Sequence, residues 1–129
     1  MEQMDRHRNL MHMCINTGDF PLQTKSEIAE QIQKSAALPL DEIWISGETE
    51  YPCLAILVNG ANSCLTYFEK EGVIWLSYGT RQRPVLFIAG GVEWEAPADS
   101  VISTEDAIAC MKTFFETREK PTCIEWQLL

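Results

Sequence analysis

Residues 84 to 126, PVLFIAGGVEWEAPADSVISTEDAIACMKTFFETREKPTCIEW, decide the fold, because strand, turn, strand, capped helix and final strand follow one another without a spare residue. Val85 to Ile88 is a short apolar run, and Gly90-Gly91 supplies the positive-φ chemistry of a tight hairpin. Val92-Glu93-Trp94-Glu95 alternates with period two, which assigns Val92 and Trp94 to an inner face and Glu93 and Glu95 to a wet outer one. Pro97 ends that strand. Ser103-Thr104-Glu105-Asp106 opens a helix, with Ser103 as N-cap and two carboxylates where the helix dipole favours them. Ile108, Met111, Phe114 and Phe115 recur at helical spacing, so the helix has an apolar face to lay on a sheet. Pro121 stops it, and Cys123-Ile124-Glu125-Trp126 alternates as a last strand.

Upstream, Leu10 to Ile15 is a weak strand, Asn16 to Asp19 a turn cluster, and Thr24-Lys25-Ser26-Glu27 matches a capping box. Ile28, Ala29, Ile32 and Ala36 stripe the following helix, which closes at Pro39. Glu42 to Gly47 is a strand candidate. Cys53 to Val58 is apolar on both alternations and therefore a central strand covered on both faces. Asn59 to Asn62 turns it back into Ser63 to Phe68, and Glu69 to Gly72 leads to Val73 to Tyr78. The run from Cys53 to Trp94 reads as one meander. The expectation is an α+β fold: an antiparallel meander sheet of about six to eight strands with two main helices packed on it. Its 129 residues, 46% hydrophobic, suit one domain (1–129), with residues 1–9 loosely attached. Neither a secretory leader nor a long apolar span is legible, which predicts a cytoplasmic chain without a membrane partner.

The net charge is −9 and is blocked along the chain. No basic residue falls between Lys34 and Lys70, or between Arg83 and Lys112. Phosphate binding needs clustered Lys and Arg, so nucleic acid is not expected as a direct ligand. A basic protein partner is compatible with such blocks, and so is simple solubility.

Residues for catalysis are sparse. His7 and His12 both lie near the start, without a glycine elbow or a Cys-His motif. Cys14, Cys53, Cys64, Cys110 and Cys123 lack metal-ligand spacing and read as small buried hydrophobes in a reducing compartment. Gly90-Gly91 precedes a strand, not the helix N-terminus a phosphate would need. No cofactor, metal or catalytic residue is expected. Trp75, Trp94 and Trp126 sit among aliphatic neighbours and read as core, whereas Trp44 has polar flanks and reads as a surface aromatic.

The order Asn59-Gly60, Leu65-Thr66-Tyr67-Phe68, Gly72 to Gly79, Val85 to Ile88, Gly90-Gly91 and Trp94-Glu95-Ala96-Pro97 resembles the immunity protein one family of bacterial polymorphic toxin systems. The capped helix with Ala107 and Phe114-Phe115, then Pro121 and Ile124-Glu125-Trp126, is similar to it as well. The likeness spans Cys53 to Trp126. It implies a small cytoplasmic α+β protein that binds the toxin domain encoded beside it and blocks its active site. Such toxins include nucleic-acid deaminases and nucleases with basic surfaces, for which an acidic inhibitor would present carboxylates in place of phosphates. The family motif carries no contact residues over. From residue chemistry the expected toxin-binding set is Trp44 as aromatic anchor with Glu42, Glu48, Glu50, Tyr51, Glu93 and Glu95. The expected assembly is a monomer or weak homodimer. Two other classes stay open: a small cytoplasmic adaptor or chaperone-like binding protein, and a Cys/His enzyme.

Overall fold

A computed structural model describes residues 11–15, 18–37, 41–47, 49–79 and 83–129. His7, Glu48, Pro39 and the N-terminal segment 1–9 lie outside the described residues. In chain order the elements are β1 (Met11–Ile15), β2 (Gly18–Leu22), α1 (Lys25–Ala37), β3 (Asp41–Ser46), β4 (Cys53–Asn59), β5 (Asn62–Lys70), β6 (Val73–Tyr78), β7 (Val85–Ala89), β8 (Val92–Ala96), a 3-10 turn (Ala98–Ser100), β9 (Ile102–Ser103), α2 (Thr104–Thr117) and β10 (Glu125–Leu128). The main sheet has eight strands, in the order β10-β6-β5-β4-β3-β1-β2 with β9 also on β5; every pairing is antiparallel. An α+β fold with two helices on an antiparallel sheet is therefore what forms.

The sheet has two differently covered faces. On one, Ile43, Ile45, Leu54, Ile56, Val58, Leu65 and Tyr67 pack beneath the helices, which contribute Ile28, Ile32, Ala107, Cys110, Met111 and Phe114. Side chains of this size stabilise by about 1.5–3 kcal/mol each when fully buried, so this layer supplies most of the cohesion. The opposite face holds a smaller cluster of Leu57, Cys64, Leu76, Phe87, Ala96 and Val101. β4 is buried from Cys53 to Val58, as expected of a central strand.

The meander does not run as far as Trp94. It holds for β4, β5 and β6, but β7 and β8 form a separate two-stranded ribbon. Two causes are visible: β10 occupies the far edge of β6, and β7 lays Phe87 across the sheet face. β2 is also a strand where a turn and a helix entry were expected, and it carries Pro21. Its place at the sheet edge makes the missing N–H tolerable.

The cap of α2 forms as the sequence predicts, and the capping box of α1 forms in its carboxylate half, without the hydroxyl half. Ser103 Oγ accepts from Asp106 N at 3.0 Å, and Arg118 in the left-handed region closes α2. At α1, Glu27 Oε1 accepts the backbone N–H groups of Gln23 and Thr24 at 2.8 and 2.7 Å, while the Thr24 hydroxyl meets Ser26 Oγ at 3.0 Å. Those backbone bonds pull the Glu27 carboxyl below its ordinary range. The start of α2 is held by a buried hydroxyl pair. Thr104 Oγ1 donates to Gly60 O at 2.8 Å, so its single proton is used and Ser63 Oγ must donate the 2.7 Å bond between them.

The chain reaches its ribbon through a close approach. Gly79 N donates to Asp99 O at 2.7 Å, and Ser77 Oγ donates to Ser100 O at 2.6 Å while accepting from Leu65 N at 3.0 Å. A Cβ at Gly79 would stand 2.2 Å from Val101 O, so no other residue fits without moving backbone.

Candidate partner-binding surface

Among the described residues, the face opposite the helices is only partly roofed. β7 covers the end of the sheet that carries Leu57 and Cys64. Beyond it, Trp44 of β3 and Phe68 of β5 stack with ring centroids 5.2 Å apart and planes 21° from parallel. The register explains how two rings on non-adjacent strands meet. Trp44 is opposite Ala55, and Phe68 is opposite Cys53, so the intervening β4 presents only small side chains on that face. The rings lean together over them, leaving Ala55 and Cys53 buried and the rings themselves half-exposed. Trp44 is thus an aromatic on an open face, as its polar flanks suggested, but one arranged by a partner ring.

Acidic groups stand around this face. Glu42 shares the strand face of Trp44 and its Oε1 accepts from Gly90 N at 3.1 Å, tying β3 to the tip of the β7-β8 ribbon. At the other end, Glu50 and Tyr51 lead into β4, and Tyr51 is near both Glu50 and Glu71. Desolvation pushes the Tyr51 phenol up, and these two carboxylates add to the shift, so the hydroxyl stays a neutral donor, bonded to Glu50. Glu93 and Glu95 are exposed on the outward face of the ribbon, opposite Ile88 and Leu86. The structure therefore puts Glu42 on the strand face of Trp44, bonds Tyr51 to Glu50, and sets Glu93 and Glu95 on the ribbon that covers the Trp44 side of the sheet; Glu48 is outside the described residues.

Trp94 and Val92 are corrections. Both leave the ribbon on the same side as Phe87 and Ala96, which are fully buried, yet Trp94 is 36% and Val92 68% exposed. The alternation was right and the burial was not, since β7 makes the contacts with β3 and β4 and β8 lies outside it. The other tryptophans do pack on the core. Trp75 donates to Glu69 at 3.1 Å with Lys120 Nζ 3.4 Å over its ring, and Trp126 donates to Pro121 O at 2.7 Å beside Tyr67. Phe68 and Glu71 were missed. The alternation Cys64, Thr66, Phe68 across from Cys53 and Ala55 was the available signal for Phe68; nothing local signals Glu71.

The cysteines divide. Cys53, Cys64 and Cys110 are buried as expected, whereas Cys14 and Cys123 are exposed. Burial pushes the Cys53 thiol up to about 11 and raises Cys64 and Cys110 as well, the last further raised by the neighbouring Cys123 sulfur. Raised thiols are poor nucleophiles. His12 sits opposite Ser46 and Pro21. Among the described residues no group of three or more His, Cys, Asp or Glu could hold a metal. A cleft of about 520 Å³ between β1, β2 and α1 is lined by Met13, Ile15, Leu22, Glu27, Glu30 and Lys34 among others, and none of the expected toxin-binding residues lines it. What the open face can do is contact: ring surface for apolar or cationic groups, and carboxylates for Lys, Arg or backbone donors.

No helix among the described residues is long and apolar enough to cross a membrane. No curated protein matches the chain. The family model described as Immunity protein Imm1 matches residues 16–128, reaching well upstream of the stretch that carried the resemblance in sequence. The chain belongs to the Immunity protein Imm1 family.

Proposed function

We propose that this chain is a cognate immunity protein that binds a bacterial toxin domain and neutralises it by covering the active site with the acidic, ribbon-bearing side of the sheet. The toxin is of the nucleic-acid-targeting kind, a deaminase or nuclease, whose basic substrate surface accepts carboxylates where phosphates would lie. The observation that carries this reading is the half-exposed Trp44-Phe68 stack with Glu42, Glu93 and Glu95 on its side of the sheet and Glu50 and Tyr51 in the bend that leads into β4. An aromatic centre with a charged rim is the usual anatomy of a specific interface. The protein acts in this reading as one domain in the cytoplasm, without cofactor or catalysis of its own.

The test is binding and protection with the toxin domain encoded by the neighbouring reading frame. Glu50→Lys combined with Glu93→Lys is expected to weaken binding by about a hundredfold, through lost attraction and introduced repulsion. Reversal at Glu116 and Glu119, on and just after α2, is expected to change it by less than about threefold. Equal effects of the two pairs would remove the acidic side from the interface.

A further inference from the structure

The backbone of the ribbon offers more than side chains. Gly90 and Gly91 have φ of 60° and 78°, the two positive values of a tight two-residue turn, and Ala89 and Val92 flank it in register. In such a turn the flanking residues exchange both backbone hydrogen bonds, and in an antiparallel pair the bonded residues then alternate. Ala89 with Val92, Phe87 with Trp94 and Val85 with Ala96 are accordingly the bonded pairs. The N–H and C=O of Glu93 and Glu95 point the other way, out of the ribbon. Among the described residues β8 pairs with β7 alone, and Val92 to Glu95 are all exposed.

An open strand edge of this kind normally invites pairing with another copy. Here a second β8 added antiparallel would set the carboxylates of Glu93 and Glu95 against their own copies, and like charges opposed across a strand pair destabilise it. The same carboxylates favour an incoming strand with Lys or Arg at the opposed positions. Its other side chains would fall beside Val92 and Trp94, which are exposed on the ribbon's other face. Of the two end strands of the main sheet among the described residues, β10 alternates polar and apolar residues but has Glu125 as its one carboxylate, and β2 has Asp19 as its one and carries Pro21, so neither sets paired charges along its edge.

The geometry points to strand addition at β8: an extended segment of the toxin domain, with basic side chains at alternate positions, pairs with the outer edge of β8 through the backbone of Glu93 and Glu95. This rests on the toxin-binding reading above and specifies where and how the partner docks.

The experiment uses the full chain and the toxin domain from the neighbouring frame. Amide hydrogen exchange by NMR is expected to show the Glu93 and Glu95 N–H groups fast in the free protein and at least about tenfold slower in the complex, with the inward Trp94 amide little changed. Glu93→Pro removes an outward donor and blocks that edge without taking an internal bond, so it is expected to weaken binding about tenfold more than Glu93→Gln, which removes charge alone. Glu95→Pro is the second variant if the first shifts the thermal midpoint. If the toxin binds while both amides exchange as in the free protein, strand addition is overturned and the toxin reading stands on another surface. If the wild-type chain does not bind the toxin domain, both fail. Protection of the two amides in the toxin-free protein at high concentration, with dimer in sedimentation, would replace the basic partner by a second copy and overturn this assignment.

Discussion

Phe87→Ala tests whether the ribbon is an integral layer of the fold. Phe87 is fully buried among Leu57, Cys64, Leu76, Ala96 and Val101, on the sheet face away from the helices. Removing a buried ring forfeits its transfer free energy and leaves a cavity that a close-packed neighbourhood closes only partly, at a cost of about 3–5 kcal/mol. The neighbours limit collapse. Val101 and Ser100 are pinned by the bonds from Gly79 and Ser77, and the ribbon tip is held to β3 by Glu42. An isolated two-stranded hairpin is only marginally stable, so the ribbon cannot compensate by itself. A domain of this size has about 5–15 kcal/mol in total, so the variant is expected to lose about a fifth of it or more. Urea denaturation followed by tryptophan fluorescence measures the loss, with Phe87→Leu as a milder companion expected at about 1–1.5 kcal/mol. Hydrogen exchange adds a spatial readout: amides of β7 and β8 should open well before those of β4 and α2. A cost below about 1 kcal/mol, with β7 amides still protected, would refute the packing assigned to Phe87.

Three further outcomes are expected. Gly79→Ala puts a Cβ against Val101 O, between two short hydrogen bonds that resist movement, and should destabilise by about 1–3 kcal/mol in the same denaturation assay. Because backbone hydrogen bonds lower the folded-state ionisation of Glu27 below its ordinary 4.5, its contribution is fully present above that pH and lost as pH falls through the lowered value. Thermal midpoints of wild type and Glu27→Gln should therefore separate at neutral pH and converge in acid; a constant difference would contradict the cap. Alkylation with iodoacetamide at mildly alkaline pH should modify Cys14 and Cys123 quickly and Cys53, Cys64 and Cys110 only on unfolding, a pattern that peptide mass mapping reads directly.

Local patterns were legible where the physics is local. The N-cap at Ser103, the glycine hairpin at Gly90-Gly91 and the doubly buried β4 all rest on neighbours in sequence or on burial of a whole run. The candidate surface was legible only in part. Trp44 could be placed on an open face from its polar flanks, but its stacking on Phe68 depends on the register of three strands. Glu71 approaches Tyr51 across twenty residues of chain, a separation that no window of local sequence covers.

What the sequence by itself determined is the kind and order of most elements, the acidic balance and the family likeness, since periodicity, turn chemistry and charge are properties of the chain alone. The tertiary structure decided which edge each strand found. β10 took the edge of β6, which sent β7 and β8 onto the sheet face as a ribbon, and that placement exposed Trp94 although its alternation matches that of buried Phe87. Period two sets which way a side chain points, but burial depends on what lies opposite it, and that is settled only when the layers pack.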